Sequence, residues 1–128
     1  MPLDDRWAAF AKNDLHTAEV LLREGIWNQV CFHAQQSAEK FLKSALPAAD
    51  RPRTHKIADL VRLTDFLELD DCLKRELRLL DRFYIPSRYP DALPGTLEDG
   101  MPTGEDARVS FRAVKALEAA LRSSSSGY

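Results

Sequence analysis

The amino-acid sequence predicts an all-α protein, folded as an up-and-down bundle of four or five helices. Apolar residues recur at intervals of three and four along several segments, which is the spacing of one helical face. No segment alternates apolar and polar residues as a half-buried strand would, and the chain has no internal repeat. A chain of 128 residues is long enough for one domain with a hydrophobic core. We assign a helical domain to residues 1–122 and expect residues 123–128 to form a disordered polar tail.

The composition excludes several classes of protein. With 45% hydrophobic and 30% charged residues, the chain is typical of a globular domain rather than a disordered one. Its formal net charge of −2 argues against bulk electrostatic binding to nucleic acid but is compatible with a local basic patch. No apolar run approaches the roughly 18 residues that span a bilayer, and the N-terminal residues do not form a secretion signal. We therefore expect a cytoplasmic protein that is not inserted in a membrane.

The first two helices have clear predicted boundaries. The first runs from about residue 4 to residue 24, with Asp4 or Asp5 as its N-cap and Gly25 as its stop. The second runs from about residue 28 to residue 46 and ends before a proline, which cannot continue a helix. Its predicted apolar face consists of Val30, Ala34, Ala38, Phe41, Leu42 and Ala45.

Two shorter helices and a long final helix follow. Thr54 is the predicted N-cap of a third helix, and Asp70 or the residue after it begins a fourth. Residues 85–103 contain four prolines and two glycines, so we expect an irregular segment. Thr103 and Asp106 resemble a capping box at the start of the last helix. The side chains predicted to be buried are Trp7, Leu15, Ala34, Phe41, Leu60, Leu80, Phe111 and Leu117.

Neither cysteine belongs to a metal-binding pattern. Cys31 and Cys72 have no CxxC spacing and the three histidines are scattered, so we expect no metal site and no bound cofactor. We interpret both cysteines as small apolar residues within helices.

A polar stripe follows the second helix. His33, Gln36, Lys40 and Lys43 recur at intervals of three and four residues, with Glu39 beside them. One interpretation is a solvated helix face, in which Glu39 and Lys43 form an ordinary ion pair that stabilises the helix by only about 0.3 kcal/mol. The other is a functional face that carries an amide, an acid and two cations on adjacent turns.

A short basic cluster precedes the third helix. Arg51, Arg53, His55 and Lys56 lie where free backbone N–H groups at a helix N-terminus would add to their charge. The cluster is compatible with a phosphate site and with a solvated loop.

Residues 84–91 (YIPSRYPD) hold an arginine between two prolines. Pro86 and Pro90 restrict the backbone on both sides of Arg88, which reduces the entropy lost when its guanidinium is fixed. The guanidinium fork matches two phosphate oxygens at once, but a structural role in holding the loop is an open alternative. We predict that Arg88 lies in a polar cleft facing the first two helices. The side chains it is expected to approach are Asp14, at the edge of the first apolar stripe, Glu39 and Lys43.

Four blocks of this sequence together resemble the HEPN domain, the nucleotide-binding domain family shared by higher eukaryotes and prokaryotes. They are residues 11–15 (AKNDL), 31–43 (CFHAQQSAEKFLK), 54–55 (TH) and 84–91 (YIPSRYPD). The resemblance implies an up-and-down helical bundle that often forms homodimers, with a polar cleft at or near the dimer interface. Many members lie beside a minimal nucleotidyltransferase, often as toxin and antitoxin.

Some HEPN members are metal-independent ribonucleases, which share an Arg followed after four to six residues by a His; others are thought to bind nucleotides. This sequence has no histidine after Arg88, and only three residues separate Arg51 from His55. Histidine is the usual group that accepts a proton near neutral pH. We therefore predict that ribonuclease activity is absent or very weak, and we assign no catalytic residue.

Residues and resemblance together predict a non-nucleolytic HEPN protein that binds a nucleotide or phosphorylated ligand. A homodimer and pairing with a nucleotidyltransferase, in a toxin–antitoxin-like system, are expected; RNA binding is left open. One alternative is a metal-independent ribonuclease with an atypical site, in which Arg88 works with Asp91 or His33. The other is a homodimeric interaction module without a ligand. The residues assigned to the ligand are Lys40, Lys43, Arg88 and Tyr89, those that orient them are Asp14, Gln36, Glu39 and Asp91, and His33 and His55 are accessory.

Overall fold

The computed structural model describes residues 3–83 and 101–125. Within these residues the chain forms five α-helices and no strand, which confirms the predicted all-α fold. The 84–91 motif, including Arg88, Tyr89 and Asp91, lies outside the described residues. The helices are α1 (Asp5–Glu24), α2 (Trp27–Ser44), α3 (Ile57–Leu63), α4 (Asp71–Leu79) and α5 (Gly104–Ser125), with 3₁₀ turns at Ala48–Asp50, Asp65–Leu67 and Leu80–Phe83.

Helix α1 begins and ends with the caps predicted for it. The Asp4 carboxylate accepts hydrogen bonds from the backbone amides of Arg6 and Trp7, at 3.0 and 3.5 Å. Amides in the first turn of a helix have no partner within the helix itself. Gly25 has a φ of 76° and closes the last turn in the left-handed conformation. Helix α2 then returns antiparallel to α1, so that the Asp4 amide donates to the Ser44 carbonyl at 2.9 Å.

Helix α2 lies at the centre of the bundle. It packs against α1, α3, α5 and the 3₁₀ turn at Leu80–Phe83. Six of the eight side chains predicted to be buried are buried, and the predicted apolar face of α2 is confirmed throughout. Trp7 and Phe111 are only half-buried. Trp7 lies at the edge of the bundle against Arg51 and Lys43, and Phe111 borders a charged groove between α1 and α5.

Small residues let α1 and α2 approach each other closely. Ala11, Ala18, Ala34 and Ala38 are fully buried. The Ser37 hydroxyl donates a hydrogen bond to the Ala11 carbonyl across the two helices, at 2.7 Å. Because a serine side chain is short, this bond requires the two backbones to be near one another. Short polar side chains of α1 can therefore reach those of α2.

The capping prediction for α3 is wrong. Helix α3 begins at Ile57, and the Thr54 hydroxyl accepts only from the amide of Lys56, one residue before the helix. The first two helical amides, of Ile57 and Ala58, donate instead to the two carboxylate oxygens of Asp81, at 2.7 and 3.0 Å. A side chain from a distant part of the chain thus caps this helix.

The caps of α4 and α5 are those predicted from the sequence. Asp70 caps α4 by accepting from the amide of Cys72 at 2.7 Å. The capping box at α5 is confirmed, because Thr103 and Asp106 exchange hydrogen bonds at 2.9 and 3.1 Å. Helix α5 continues to Ser125, three residues beyond the predicted end of the helical domain. Residues 126–128 of the predicted polar tail lie outside the described residues.

The two cysteines lie in helices, but only one has the predicted apolar surroundings. Cys31 is buried in α2, and burial raises the pKa of its thiol to about 12, so it stays protonated. Cys72 is exposed in the first turn of α4. Among the helices of the described ranges, none is long and apolar enough to cross a bilayer.

Candidate functional site

The polar stripe of α2 is a packed surface rather than a solvated one. We define the α2 face as His33, Gln36, Glu39, Lys40 and Lys43. Glu39 and Lys43 are each only 4% exposed, and the other three are half-buried. The ion pair that the spacing of Glu39 and Lys43 predicts does form, with Lys43 Nζ 3.1 Å from Glu39 Oε2. The interpretation as a solvated helix face is therefore excluded.

One ionic cluster joins α1 to the α2 face. Asp14 of α1 pairs with Lys40 through one carboxylate oxygen, and its other oxygen lies 3.4 Å from His33 Nδ1. Burial by itself would raise the pKa of Asp14, but hydrogen bonds from His33 and Lys40, together with their charges, outweigh burial and lower that pKa below its ordinary value. The Phe32 ring packs edge-on against the His33 ring at 5.1 Å and helps to orient it. Asp14 is thus an ionised partner of both side chains, as its place beside the apolar stripe suggested.

A second ionic cluster lies on the other side of the α2 face. His55 Nδ1 is 3.2 Å from both carboxylate oxygens of Glu39, which also binds Lys43. The His55 side chain is 61% exposed, whereas the side chains of Glu39 and Lys43 are buried. The buried carboxylate therefore has an amine on one side and an imidazole at the protein surface.

Two glutamines connect the face to the segment before α3. Gln35 is fully buried and its amide donates to the His55 carbonyl at 3.0 Å. Gln36 donates in turn to the Gln35 side-chain oxygen at 2.7 Å. Gln35 was not among the residues predicted for the site, although the sequence contains one signal for it. Gln35 interrupts a helical row of otherwise apolar buried residues, Cys31, Ala38 and Leu42, and a polar residue at such a position needs a hydrogen-bond partner.

Arg51 supports the face from the inside. Its guanidinium donates to the Lys43 and Leu46 carbonyls at the end of α2, at 2.9 and 2.7 Å, and pairs with Asp4 at 3.3 Å. Arg51 and Lys43 both lie over the Trp7 ring, 5.3 and 5.6 Å from its centroid. Arg51 was predicted to belong to a surface cluster, and its structural role was not predicted.

The basic cluster before α3 is therefore divided. Arg51 points inward, whereas Arg53, His55 and Lys56 are exposed. The amides at the start of α3 are bound by Asp81, so they are not available for a phosphate. Of the predicted site residues that the structure describes, Asp14, Lys40 and His33 meet in one cluster, and Glu39, Lys43 and His55 meet in the other.

A family model described as the HEPN domain matches residues 5–124 of this sequence. The chain belongs to the HEPN family. The match covers almost the whole chain, and it confirms the resemblance seen in the four sequence blocks.

Two crystal structures are similar to this HEPN domain over 96% of its length and 98% of their own. TT1696 from Thermus thermophilus is 29% identical, with a TM-score of 0.80. ST0689, described as an archaeal HEPN homologue, is 26% identical, with a TM-score of 0.68. No curated protein matches the sequence. The relatives thus support the fold and the family, and the site of this HEPN domain has to be interpreted from its own residues.

The Asp14 cluster predicts how the stability of this HEPN domain depends on pH. Folding lowers the pKa of Asp14, so the ionised carboxylate stabilises the fold at neutral pH, and this contribution is lost as the pH falls through the lowered value. We expect Asp14→Asn to be less stable than wild type at pH 7 and the difference to shrink below about pH 4. Urea denaturation at several pH values measures this. Asp5→Asn, an exposed change on the same helix, is the control; an Asp14→Asn deficit that stays constant from pH 7 to pH 3 would contradict the prediction.

Proposed function

We propose that this HEPN protein binds a nucleotide or a similar phosphorylated ligand on the α2 face. The observation that carries the proposal is the layering of charge in the two clusters. The carboxylates lie underneath, with 16% of the Asp14 side chain and 6% of that of Glu39 exposed. Two of the basic partners are more exposed than these carboxylates, Lys40 at 25% and His55 at 61%, whereas Lys43 is buried with Glu39. The face therefore offers hydrogen-bond donors to solvent.

Such a surface suits a phosphate. Lys40 has three N–H donors and uses one on Asp14, so donors are left for a ligand oxygen. His33 directs Nδ1 to Asp14, so Nε2 lies on the opposite edge of its ring. Hydrogen bonds from charged donors to phosphate oxygens are about twice as strong as neutral ones. Because the Asp14 carboxylate already holds both donors in place, little conformational entropy is lost on binding.

Lys43 has a different part in this proposal. Its amine is bound to Glu39 and covered by Trp7, so it contributes positive charge to the face but no accessible donor. In this proposal, Lys40 and His33 contact the phosphate directly. We keep Arg88 and Tyr89 as further ligand contacts and Asp91 as an orienting residue, on the strength of their sequence motif.

Thermal denaturation with ADP, ATP, GTP or inorganic phosphate tests the proposal. A ligand present at 100 times its Kd stabilises the native state by about 2.7 kcal/mol, which corresponds to a rise in Tm of several degrees. We expect that rise for wild type and its loss in Lys40→Gln and in Arg88→Ala. Lys115→Gln is the matched control, because Lys115 also pairs with a carboxylate, Glu118, but lies on α5. Equal responses of Lys40→Gln and wild type would contradict the proposed site.

The proposal includes two partners. Because HEPN domains often form homodimers and lie beside nucleotidyltransferases, we propose both associations for this protein, in a toxin–antitoxin-like pair. Light scattering at tens of micromolar checks the dimer, and a monomer mass would contradict it. The neighbouring genes show whether a nucleotidyltransferase is encoded beside this one, and co-purification of the two proteins checks the second association.

One observation favours a second candidate function, a metal-independent ribonuclease with an atypical site. His33 is held at Nδ1 by an ionised Asp14, as a histidine that serves as a general base is held by its carboxylate. We nevertheless expect cleavage of single-stranded RNA in EDTA to be absent or very weak, because the family motif's histidine is missing after Arg88. Cleavage that disappears in both His33→Ala and Arg88→Ala would establish the second candidate instead.

A further inference from the structure

Phe10 is the most exposed large apolar side chain among the described residues, at 62%. It lies outside the apolar stripe of α1, whose buried members are Ala8, Ala11, Leu15 and Ala18. The ring thus contributes little to the core. A solvent-exposed aromatic ring on a helix is available to contact a ligand or another protein chain.

The position of Phe10 on α1 places it at the border of the α2 face. Residues three and four apart on a helix are neighbours on its surface. Phe10 follows Trp7 by three residues and precedes Asp14 by four. Trp7 packs against Lys43 of α2, and Asp14 pairs with Lys40 of the same helix. Phe10 therefore lies between the two points at which α1 meets the cations of α2.

A planar ring beside a phosphate-binding cluster matches the two halves of a nucleotide. We propose that Phe10 is the stacking platform for the nucleobase of a nucleotide whose phosphate binds Lys40 and His33. The inference rests on the proposed function and adds the residue that recognises the base. Every nucleobase has a π face, so a stacking platform binds purines and pyrimidines without hydrogen-bond selection. Adenine and guanine nucleotides should accordingly bind with similar affinity.

Calorimetric titration with ADP and with pyrophosphate separates the base from the phosphates. Wild type should bind ADP more tightly than pyrophosphate. Phe10→Ala should weaken ADP binding by about tenfold, within the range of measured base–aromatic stacking, and should leave pyrophosphate binding unchanged. Phe10→Trp should keep the ADP affinity. Phe66→Ala is the matched control, since Phe66 is 53% exposed but lies in the 3₁₀ turn at Asp65–Leu67.

Each other outcome has a defined meaning. If wild type binds neither ADP nor pyrophosphate, the proposed function fails and the inference fails with it. If wild type binds both but Phe10→Ala keeps the full ADP affinity, the proposed function stands and the platform is wrong. An equal loss of ADP and pyrophosphate affinity in Phe10→Ala would also overturn it, because the variant would then disturb the phosphate site. A Phe10→Ala protein that changes only its mass in light scattering would overturn the platform as well and assign Phe10 to contact between copies of the chain.

Discussion

Replacing Lys43 with methionine is expected to lower the free energy of unfolding by about 3 kcal/mol, because the change leaves a charged carboxylate buried without its amine. Glu39 is 4% exposed, and its only other ionic partner among the described residues is His55. Methionine fills a similar volume, so the effect reports the lost charge rather than a cavity. Urea denaturation at pH 7 measures the change.

Two further variants make this prediction specific. Arg122→Met removes the exposed cation of an i,i+4 pair with Glu118 on α5, and Glu118 keeps Lys115 as a second partner, so we expect a loss below about 0.5 kcal/mol. The double variant Glu39→Gln/Lys43→Met removes both charges and should recover most of the loss, because replacing a whole buried pair is often nearly neutral. A Lys43→Met loss below about 1 kcal/mol would show that Glu39 is better solvated than its burial indicates.

The second large effect is expected for Arg51→Ala, a loss of about 3 kcal/mol in the free energy of unfolding. The substitution removes the guanidinium donors from the Lys43 and Leu46 carbonyls, and it removes a cation from Asp4 and from the Trp7 ring. The Lys43 carbonyl keeps the Leu46 amide as a donor at 3.1 Å. Buried carbonyls that lose a charged donor regain nothing from solvent. Chemical denaturation of the variant measures the loss.

Arg53→Ala is the matched control, two residues away. Arg53 is exposed, and no carboxylate in the described part of the chain lies within 4 Å of it, so we expect a change within about 0.5 kcal/mol. Arg51→Lys should restore only part of the stability, because an ammonium cannot reproduce the fork that spans two carbonyls and a carboxylate. Equal stabilities of Arg51→Ala and Arg53→Ala would contradict the structural role of Arg51 and would support the surface position that the sequence suggested.

Local sequence chemistry was sufficient for most of the helices. The caps Asp4, Gly25, Asp70 and Thr103 all act at or next to the ends predicted for them, because the capping hydrogen bonds of each join residues within about one helical turn of it. Helix α3 is the exception. Its cap, Asp81, lies more than twenty residues further along the chain, and spacing within one helix carries no information about such a partner.

The composition of the candidate site was also predictable from the sequence, but its energetics were not. Helical periodicity placed His33, Gln36, Lys40 and Lys43 together, and the position of Asp14 indicated a paired carboxylate. Whether Glu39 and Lys43 form a weak surface pair or a strong buried one depends on what covers them. Trp7 and His55 provide that cover, and both come from outside α2.

Periodicity, caps and motif spacing depend on neighbours in the chain, so they were enough to predict the helical class, the family and the row of polar residues on α2. The packing of the helices showed which charges are buried, that Arg51 points inward and that Phe10 is exposed. Burial and charge pairing depend on side chains that come together only when helices pack, and here the small residues between α1 and α2 set the distance at which Asp14 meets Lys40 and His33.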